Sequence, residues 1–370
     1  MISIQIPDGW ENTTLSEVAR LDRRTVTPDQ IVSGTTYVGL EHVTSHGGIE
    51  SPPAVEPGDL SSNKFSFTDK HILYGKLRPY LRKIALPDFQ GVCTTEIVPI
   101  LPGPNLDRRF LYYFLRQQRM IDIATERCAG ANLPRLSPKV LAGFPVPLPP
   151  LDEQRRIAAI LDKADAIRRK RQEAIQLTNE LLRSAFLEMF GDIPAMNSLH
   201  PFGTVRSLTR MASGKSSKAV LSGRQTSIPI YGGNGINGHA TQALYEEPVV
   251  VVGRVGQQCG VVHLTDGPAW VTDNAIVVQS LDPERLDPIY LAFAFQMAPI
   301  RDTVTHLDLP FINQGMLKDQ LIPLPPPEEQ RHFRTLRANV LAQKAQAQSA
   351  FEEADNLFNA LVQTAFRGEL

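Results

Sequence analysis

The sequence is poor in cysteine: of its 370 residues only Cys93, Cys128 and Cys259 are of this type. They are odd in number and far apart, which argues against a disulfide frame and a cysteine-based metal site and fits a reducing compartment. Long apolar runs are missing too; nothing approaches the roughly eighteen uninterrupted apolar residues of a spanning helix. The opening, Met1 to Trp10, lacks the basic start and apolar core of a secretory signal. The expectation is a soluble, cytoplasmic protein with no membrane attachment. An excess of charge is also absent, since 38 Lys and Arg stand against 39 Asp and Glu for a net charge of −1. As an average this argues against a nucleic-acid partner, because phosphates are neutralised by Lys and Arg. The distribution argues otherwise. Between Lys70 and Pro87 lie Lys70, Lys76, Arg78, Arg82 and Lys83 with no acid, and between His200 and Tyr245 lie Arg206, Arg210, Lys215, Lys218 and Arg224 with no acid. Such local basic faces are compatible with DNA binding and equally with an ordinary solvated surface.

Signatures of chemistry are lacking as well. The eight histidines form no HExxH and no paired Cys/His spacing, so no metal is expected. Ser213-Gly214-Lys215-Ser216 resembles the end of a P-loop, but Thr209 stands where its first glycine belongs. Gly233–Gly238 matches the GxGxxG pattern, and Ser227–Tyr231 passes as the strand before it. That fingerprint needs a helix next, and His239–Gln242 followed by Glu247-Pro248 has no helical periodicity. A glycine-rich loop with polar tips is expected there, and a nucleotide-binding enzyme is the rival reading. No Asn/Asp-Pro-Pro-aromatic tetrapeptide marks amino-methyl transfer, and spacing pairs no nucleophile with a base. The chain reads as one that binds without a cofactor rather than one that catalyses.

What is present is a repeat. Pro147-Leu148-Pro149-Pro150-Leu151-Asp152-Glu153-Gln154-Arg155 returns as Pro323-Leu324-Pro325-Pro326-Pro327-Glu328-Glu329-Gln330-Arg331. Prolines close the preceding block, and the acids suit the first turn of a helix. Each copy opens a helical tract whose register is kept throughout, with Ile157 over Phe333, Ile160 over Leu336, Leu182 over Phe358 and Phe190 over Phe366. The blocks ahead of the tracts also align: Gly75 with Gly253, Thr94-Thr95-Glu96 with Thr272-Asp273-Asn274, Leu133-Pro134 with Leu309-Pro310. Both blocks read as mixed α/β. The first offers strands at Ile72–Tyr74, Val92–Thr94 and Ile97–Ile100 and a helix from Leu106 to about Thr125; the second offers strands at Val249–Val252, Gly260–Leu264 and Ile276–Val278 and a helix from Leu286 to Ala298.

The division is therefore 1–150, a first long helix over 151–192, 197–326, and a second long helix over 327–370. The fold class is α/β (mixed α+β), with two globular domains in pseudo-two-fold arrangement. The helices, each about 60 Å long at 1.5 Å per residue, are expected to pack as an antiparallel coiled coil that holds the blocks apart like a ruler. The apolar stripe of Ile157, Leu161, Ile167, Leu182, Phe333, Leu336, Phe351 and Phe358 reads as this seam and as the surface for protein partners. Arg168–Arg171 reads as a solvated face, a spacer-DNA contact or a docking patch. Such internal two-foldness suits a partner that is itself nearly two-fold, duplex DNA foremost.

These residues resemble the DNA-specificity (S) subunits of type I restriction–modification systems over nearly the whole chain. Leu73–Lys83 (LYGKLRPYLRK) followed by Gly91–Glu96 (GVCTTE) is similar to one version of the target recognition domain. Tyr231–Ile236 (YGGNGI), Val251–Gly256 (VVGRVG) and Asp266–Asp273 (DGPAWVTD) are similar to another. The repeated junctions and the ending Ala365–Leu370 (AFRGEL) are similar to the family's helical regions. The resemblance implies that each domain reads half of a bipartite double-stranded DNA target while the helices set the unread spacer. It implies two methyltransferase (M) subunits docked on the helices, flipping out adenine for N6 methylation, and endonuclease–translocase (R) subunits beside them. The chain itself would supply no chemistry. A coiled-coil scaffold without DNA specificity is the remaining alternative.

Direct readout uses Arg or Lys toward guanine and Asn or Gln toward adenine. The first-domain candidates are Lys76, Arg78, Tyr80, Arg82, Thr94, Thr95, Glu96, Asn132 and Arg135. In the second they are Lys215, Asn234, Asn237, His239, Arg254, Gln257, Gln258, Asp273 and Asn274. Solvated charge fits Lys76–Lys83 as well, Tyr80 reads equally as packing, and Asn234 and Asn237 equally as turn residues.

Overall fold

One buried glutamine holds each repeated junction. Gln154 Oε1 accepts from the Asp107 N–H at 2.8 Å, and its Nε2 donates to Asn105 O at 3.0 Å and Pro149 O at 2.8 Å. Gln330 repeats the pattern, accepting from Asp287 N–H at 2.8 Å and donating to Arg285 O at 3.0 Å and Pro325 O at 2.8 Å. Asp107 and Asp287 are themselves N-caps, of the helices Arg108–Arg116 and Pro288–Met297. A short helix, a proline junction and the start of a long helix are thus tied together twice by the same atoms.

The computed structural model describes residues 6–130, 132–222, 228–303 and 310–370. Arg224, Ser227 and Leu309, named above, lie outside them. By contacts the chain divides into Met1–Gln172 with Ser349–Leu370, and Glu173–Gln348. Each unit has a four-stranded antiparallel sheet of the same order. In the first it runs Ala19–Leu21, Ile97–Pro102, Ile72–Gly75, Ile84–Ala85; in the second Thr209–Ser213, Ala275–Ser280, Val250–Gly253, Val262–Leu264. Each also has a two-stranded pair, Glu11–Thr14 with Pro145–Leu148 and Phe202–Thr204 with Leu321–Pro323. The third sheet is where they part. It has five strands in the first unit, around Thr35–Val38 parallel to Gly91–Cys93, and three in the second, around Pro229–Gly232 parallel to Trp270–Val271.

The long helices are Leu151–Phe190 and Pro327–Ala365. In the first unit Ile157 and Leu161 share a core with Phe358, Phe366, Phe110 and Phe114, and Arg168 bridges Asp355 at 3.2 Å with its guanidinium 4.5 Å from the Phe358 ring centre. In the second, Phe333 packs edge-on to Phe186 and Phe190, and Lys344 Nζ donates to Asn179 at 2.8 Å. Within each unit the two segments run antiparallel. No described helix is long and apolar enough to cross a membrane.

Two local expectations change. The helix expected from Leu106 to Thr125 is two helices, Arg108–Arg116 and Gln118–Glu126. Gln117 takes an extended ψ of 143°, and its side-chain amide donates to Phe114 O at 3.2 Å, so local side-chain bonding competes with the helical ladder. The glycine-rich loop is a hairpin, Pro229–Gly232 with Gly235–His239. A strand therefore follows where the dinucleotide fingerprint needs a helix, and the structural context of the rival nucleotide site is missing.

Candidate nucleic-acid interface

In the first unit the strand Ile72–Gly75 is buried along its length and ends where the backbone is crowded: a Cβ on Gly75 would lie 2.8 Å from Lys83 O. The chain then emerges at the sheet edge. Lys76 N–H donates to Glu96 O at 2.9 Å, and Lys76 O accepts from Leu136 N–H at 2.9 Å. Leu77 pairs with Arg135, and Arg78 N–H donates to Pro134 O at 2.8 Å. Three loops that are distant in sequence therefore bring Lys76, Arg78, Glu96 and Arg135 to one edge, with Arg135 Nε 3.1 Å from the Glu96 carboxylate. Thr95 is half-buried beside Glu96, and Asn132 is exposed on the third loop.

Tyr80 lies in the 3-10 turn Pro79–Leu81 and is 48% exposed, more than packing requires. Other basic residues of this stretch are engaged internally. Arg82 is hydrogen-bonded to Gln118, and Lys83 Nζ donates to Leu40 O at 2.6 Å. Thr94 N–H donates to Val38 O at 3.0 Å, and its hydroxyl bonds the Tyr37 side chain. Burial first, then the Glu41 charge, pushes the Tyr37 hydroxyl above its ordinary range against that bond, so it stays neutral.

The second unit repeats the frame atom for atom. Arg254 N–H donates to Asn274 O at 3.0 Å, Arg254 O accepts from Ile312 N–H at 2.9 Å, Val255 pairs with Phe311, and Gly256 N–H donates to Pro310 O at 2.9 Å. Arg254, Gln257, Gln258, Asp273 and Asn274 are all exposed around this edge. The hairpin turn is pressed onto it, since a Cβ on Gly233 would lie 3.3 Å from Gly253 Cα, and this sets exposed Asn234 nearby. Asn237 lies over Gly232, where a Cβ would meet its Nδ2 at 2.7 Å. Lys215 is held by its backbone, its N–H on Val271 O and its carbonyl on Trp270 Nε1, both at 2.9 Å, with the side chain exposed. His239 is not brought in; it pairs with Pro229 at the hairpin's open end.

Sequence reasoning missed the exposed apolar members of these edges, Leu133 and Val255, and half-buried Phe311. The repeat carried their signal, because Phe311 follows Pro310 as Arg135 follows Pro134. On the helices, Ile157, Leu161, Leu182, Phe333 and Phe358 are buried within the chain, Leu336 and Phe351 are half-buried, and Ile167 is 53% exposed. Arg168 is buried against Asp165 and Asp355, whereas Lys170 and Arg171 are exposed. Among the described residues no group of His, Cys, Asp and Glu is placed to hold a metal.

Residues 7–179 match the family model described as the type I restriction modification DNA specificity domain. The chain is 29% identical over 197 residues to the specificity subunit of the Escherichia coli type I restriction enzyme EcoDI, across 51% of this chain and 44% of that protein. To the corresponding EcoEI subunit, also from Escherichia coli, it is 24% identical over 169 residues, across 43% of this chain and 28% of that protein. It therefore spans less than half the length of these curated relatives. Its fold is shared with the solved type I restriction–modification S subunit from M. genitalium, with a TM-score of 0.61 at 16% identity over 99% of this chain and 97% of that one. It is shared also with a chain from a structural study of complex assembly and conformational transition of the type I R-M system, with a TM-score of 0.58 at 22% identity over 100% of both. Residues 7–179, a little under half of the chain, thus match the type I restriction modification DNA specificity domain, and the fold of the whole chain is that of the solved S subunit.

Proposed function

We propose that this chain is the DNA-recognition and scaffold subunit of a type I restriction–modification complex. In this reading blocks 1–150 and 197–326 each read one half of a bipartite duplex site, and the long helices set the unread spacer and dock the partners. The observation that carries it is the twice-built edge: one set of backbone hydrogen bonds presents Lys76, Arg78, Glu96 and Arg135 in one copy and Arg254, Gln257, Asp273 and Asn274 in the other. Identical frames with different donors and acceptors suit two different half-sites. Two methyltransferase subunits are the proposed agents of adenine-N6 methylation, with endonuclease–translocase subunits beside them. The chain's own part is to bind and to position.

Co-expression with the methyltransferase subunit of its own system, followed by mapping of methylated adenines in host DNA, tests this reading. A two-part motif with a fixed gap is expected. Methylation indifferent to deletion of this chain would contradict it. Inserting one helical turn into both long helices is expected to lengthen the gap and leave both half-sites unchanged; an unaltered gap would end the spacer role.

A further inference from the structure

Arg78 sits in an unfavourable place twice over. Its backbone is left-handed, at φ +50° and ψ +64°, where side chains other than glycine, and to a lesser degree asparagine and aspartate, are disfavoured. The residue after it is Pro79, which pushes its predecessor toward extended backbone, and Arg78 is not extended. Its Nε is buried with no hydrogen-bond partner, an arrangement that folded chains avoid. Glu96, the acid at this edge, is paired with Arg135 instead.

The second copy shows what the frame itself requires. The equivalent residue is Gly256, also left-handed at φ +79°, with the equivalent hydrogen bond from its N–H to Pro310 O at 2.9 Å. Glycine meets that requirement without strain. The left-handed turn thus belongs to the frame, and the arginine is an addition to it that folding alone does not call for. Where an unfavourable residue is held in place by its surroundings, the inference runs from the outlier to a use. Here the surroundings do hold it: Arg78 N–H is fixed to Pro134 O at 2.8 Å and Arg78 O to Leu81 N–H at 2.9 Å.

We propose that Arg78 is a specificity-determining residue of the first half-site and reads a guanine there. The proposal rests on the DNA-recognition reading above and deepens it. An arginine fork matches guanine O6 and N7 in the major groove, and a backbone fixed on both sides limits the ordering that binding must still impose. The second copy has no side chain at this position, so its half-site is read by other residues, Arg254 first among them.

Arg78→Gly installs the second copy's own solution and should fold at least as well as the parent; Arg78→Asn, which also tolerates the left-handed turn, is the second variant. Both are compared with the parent in the co-expressed complex by methylated-adenine mapping, by duplex competition and by melting temperature. The expected result is one guanine of one half-site turning degenerate, while the half altered by Arg254→Ala is untouched. Preference for the intact duplex over one substituted at that guanine should fall about ten- to a hundredfold, with the melting temperature of Arg78→Gly equal to or above the parent's. An unchanged motif in variants that fold would overturn the assignment, and so would an equal loss of affinity on every duplex, which marks a phosphate contact. A parent with no two-part motif would instead refute the recognition reading itself, so the two failures are distinguishable.

Discussion

Where the first copy carries Lys76, Leu77 and Arg78, the second carries Arg254, Val255 and Gly256 on matching backbone hydrogen bonds. Across the edge, Glu96 and Arg135 in one copy stand where Asn274 and Phe311 stand in the other. Deeper in, the copies differ again. The first buries an Asp22–His71 contact of 3.2 Å, flanked by Arg20 and Arg24 at 3.0 and 3.2 Å, where the register of the second places Ala212 and Val249. What the copies share is backbone bonding and the glutamine junctions; what they do not share is side-chain chemistry at the edges. The frame is the structural invariant, and the edges are free to differ.

The shared part should be the most fragile. Gln154→Leu and Gln330→Leu each strand one buried N–H and two carbonyls, and at about 1–3 kcal/mol for each unmet group the loss is about 3–9 kcal/mol. Urea titrations of both variants should show similar losses. A harmless change at one junction would break the equivalence.

A smaller effect is expected where the copies differ inside. Burial works to raise the Asp22 carboxyl, but hydrogen bonds from His71 and Arg20 and the charges of Arg24 and Arg20 hold it below its ordinary value. A carboxyl depressed in the fold contributes stability that is complete above its unfolded pKa and is lost as pH falls through the folded one. Acid should therefore weaken the first copy through this group in a window below the usual carboxylate range. Asp22→Ala alone leaves the buried His71 Nε2 unpaired, its Nδ1 still accepting from Thr68 N–H at 3.0 Å, and should cost about 2–3 kcal/mol. Asp22→Ala with His71→Val, the second copy's pair, removes the stranded ring nitrogen but frees Thr68 N–H and should recover part of it. Melting curves at pH 7 and pH 3 check both; a double variant as weak as the single would remove the argument.

The smallest expected effect is the most specific one. Arg254→Ala should lower discrimination at one position of one half-site by about tenfold and leave the other half as it was. Uniform weakening on all duplexes would make Arg254 a phosphate contact.

Much of this arrangement was legible in the sequence, because proline and glycine punctuate both copies alike. Gly75 over Gly253 and Pro134 over Pro310 are the register that the hydrogen bonds follow. The break at Gln117 was not legible, since apolar spacing continues through it and a local side-chain bond decides it. Nor was the left-handed turn at Arg78, because an arginine before proline reads as extended chain, whereas the bond to Pro134 O on a distant loop and the turn closed by Leu81 N–H hold it otherwise. The three open readings of Arg168, as solvated, DNA-facing or docking, all leave out its ion pair, because the partner Asp355 lies far off in sequence on the other long helix. The hairpin at Gly233 was read as a loop because its strand pairing, unlike helical periodicity, leaves little trace in a glycine-rich stretch.

The most direct test of two readers on one frame is selection of the complex on a random duplex library at two salt concentrations. The account predicts two short fixed words separated by a constant unread gap, with salt weakening binding and leaving both words unaltered. A single continuous word, or enrichment that vanishes into salt-dependent binding of any sequence, would contradict it.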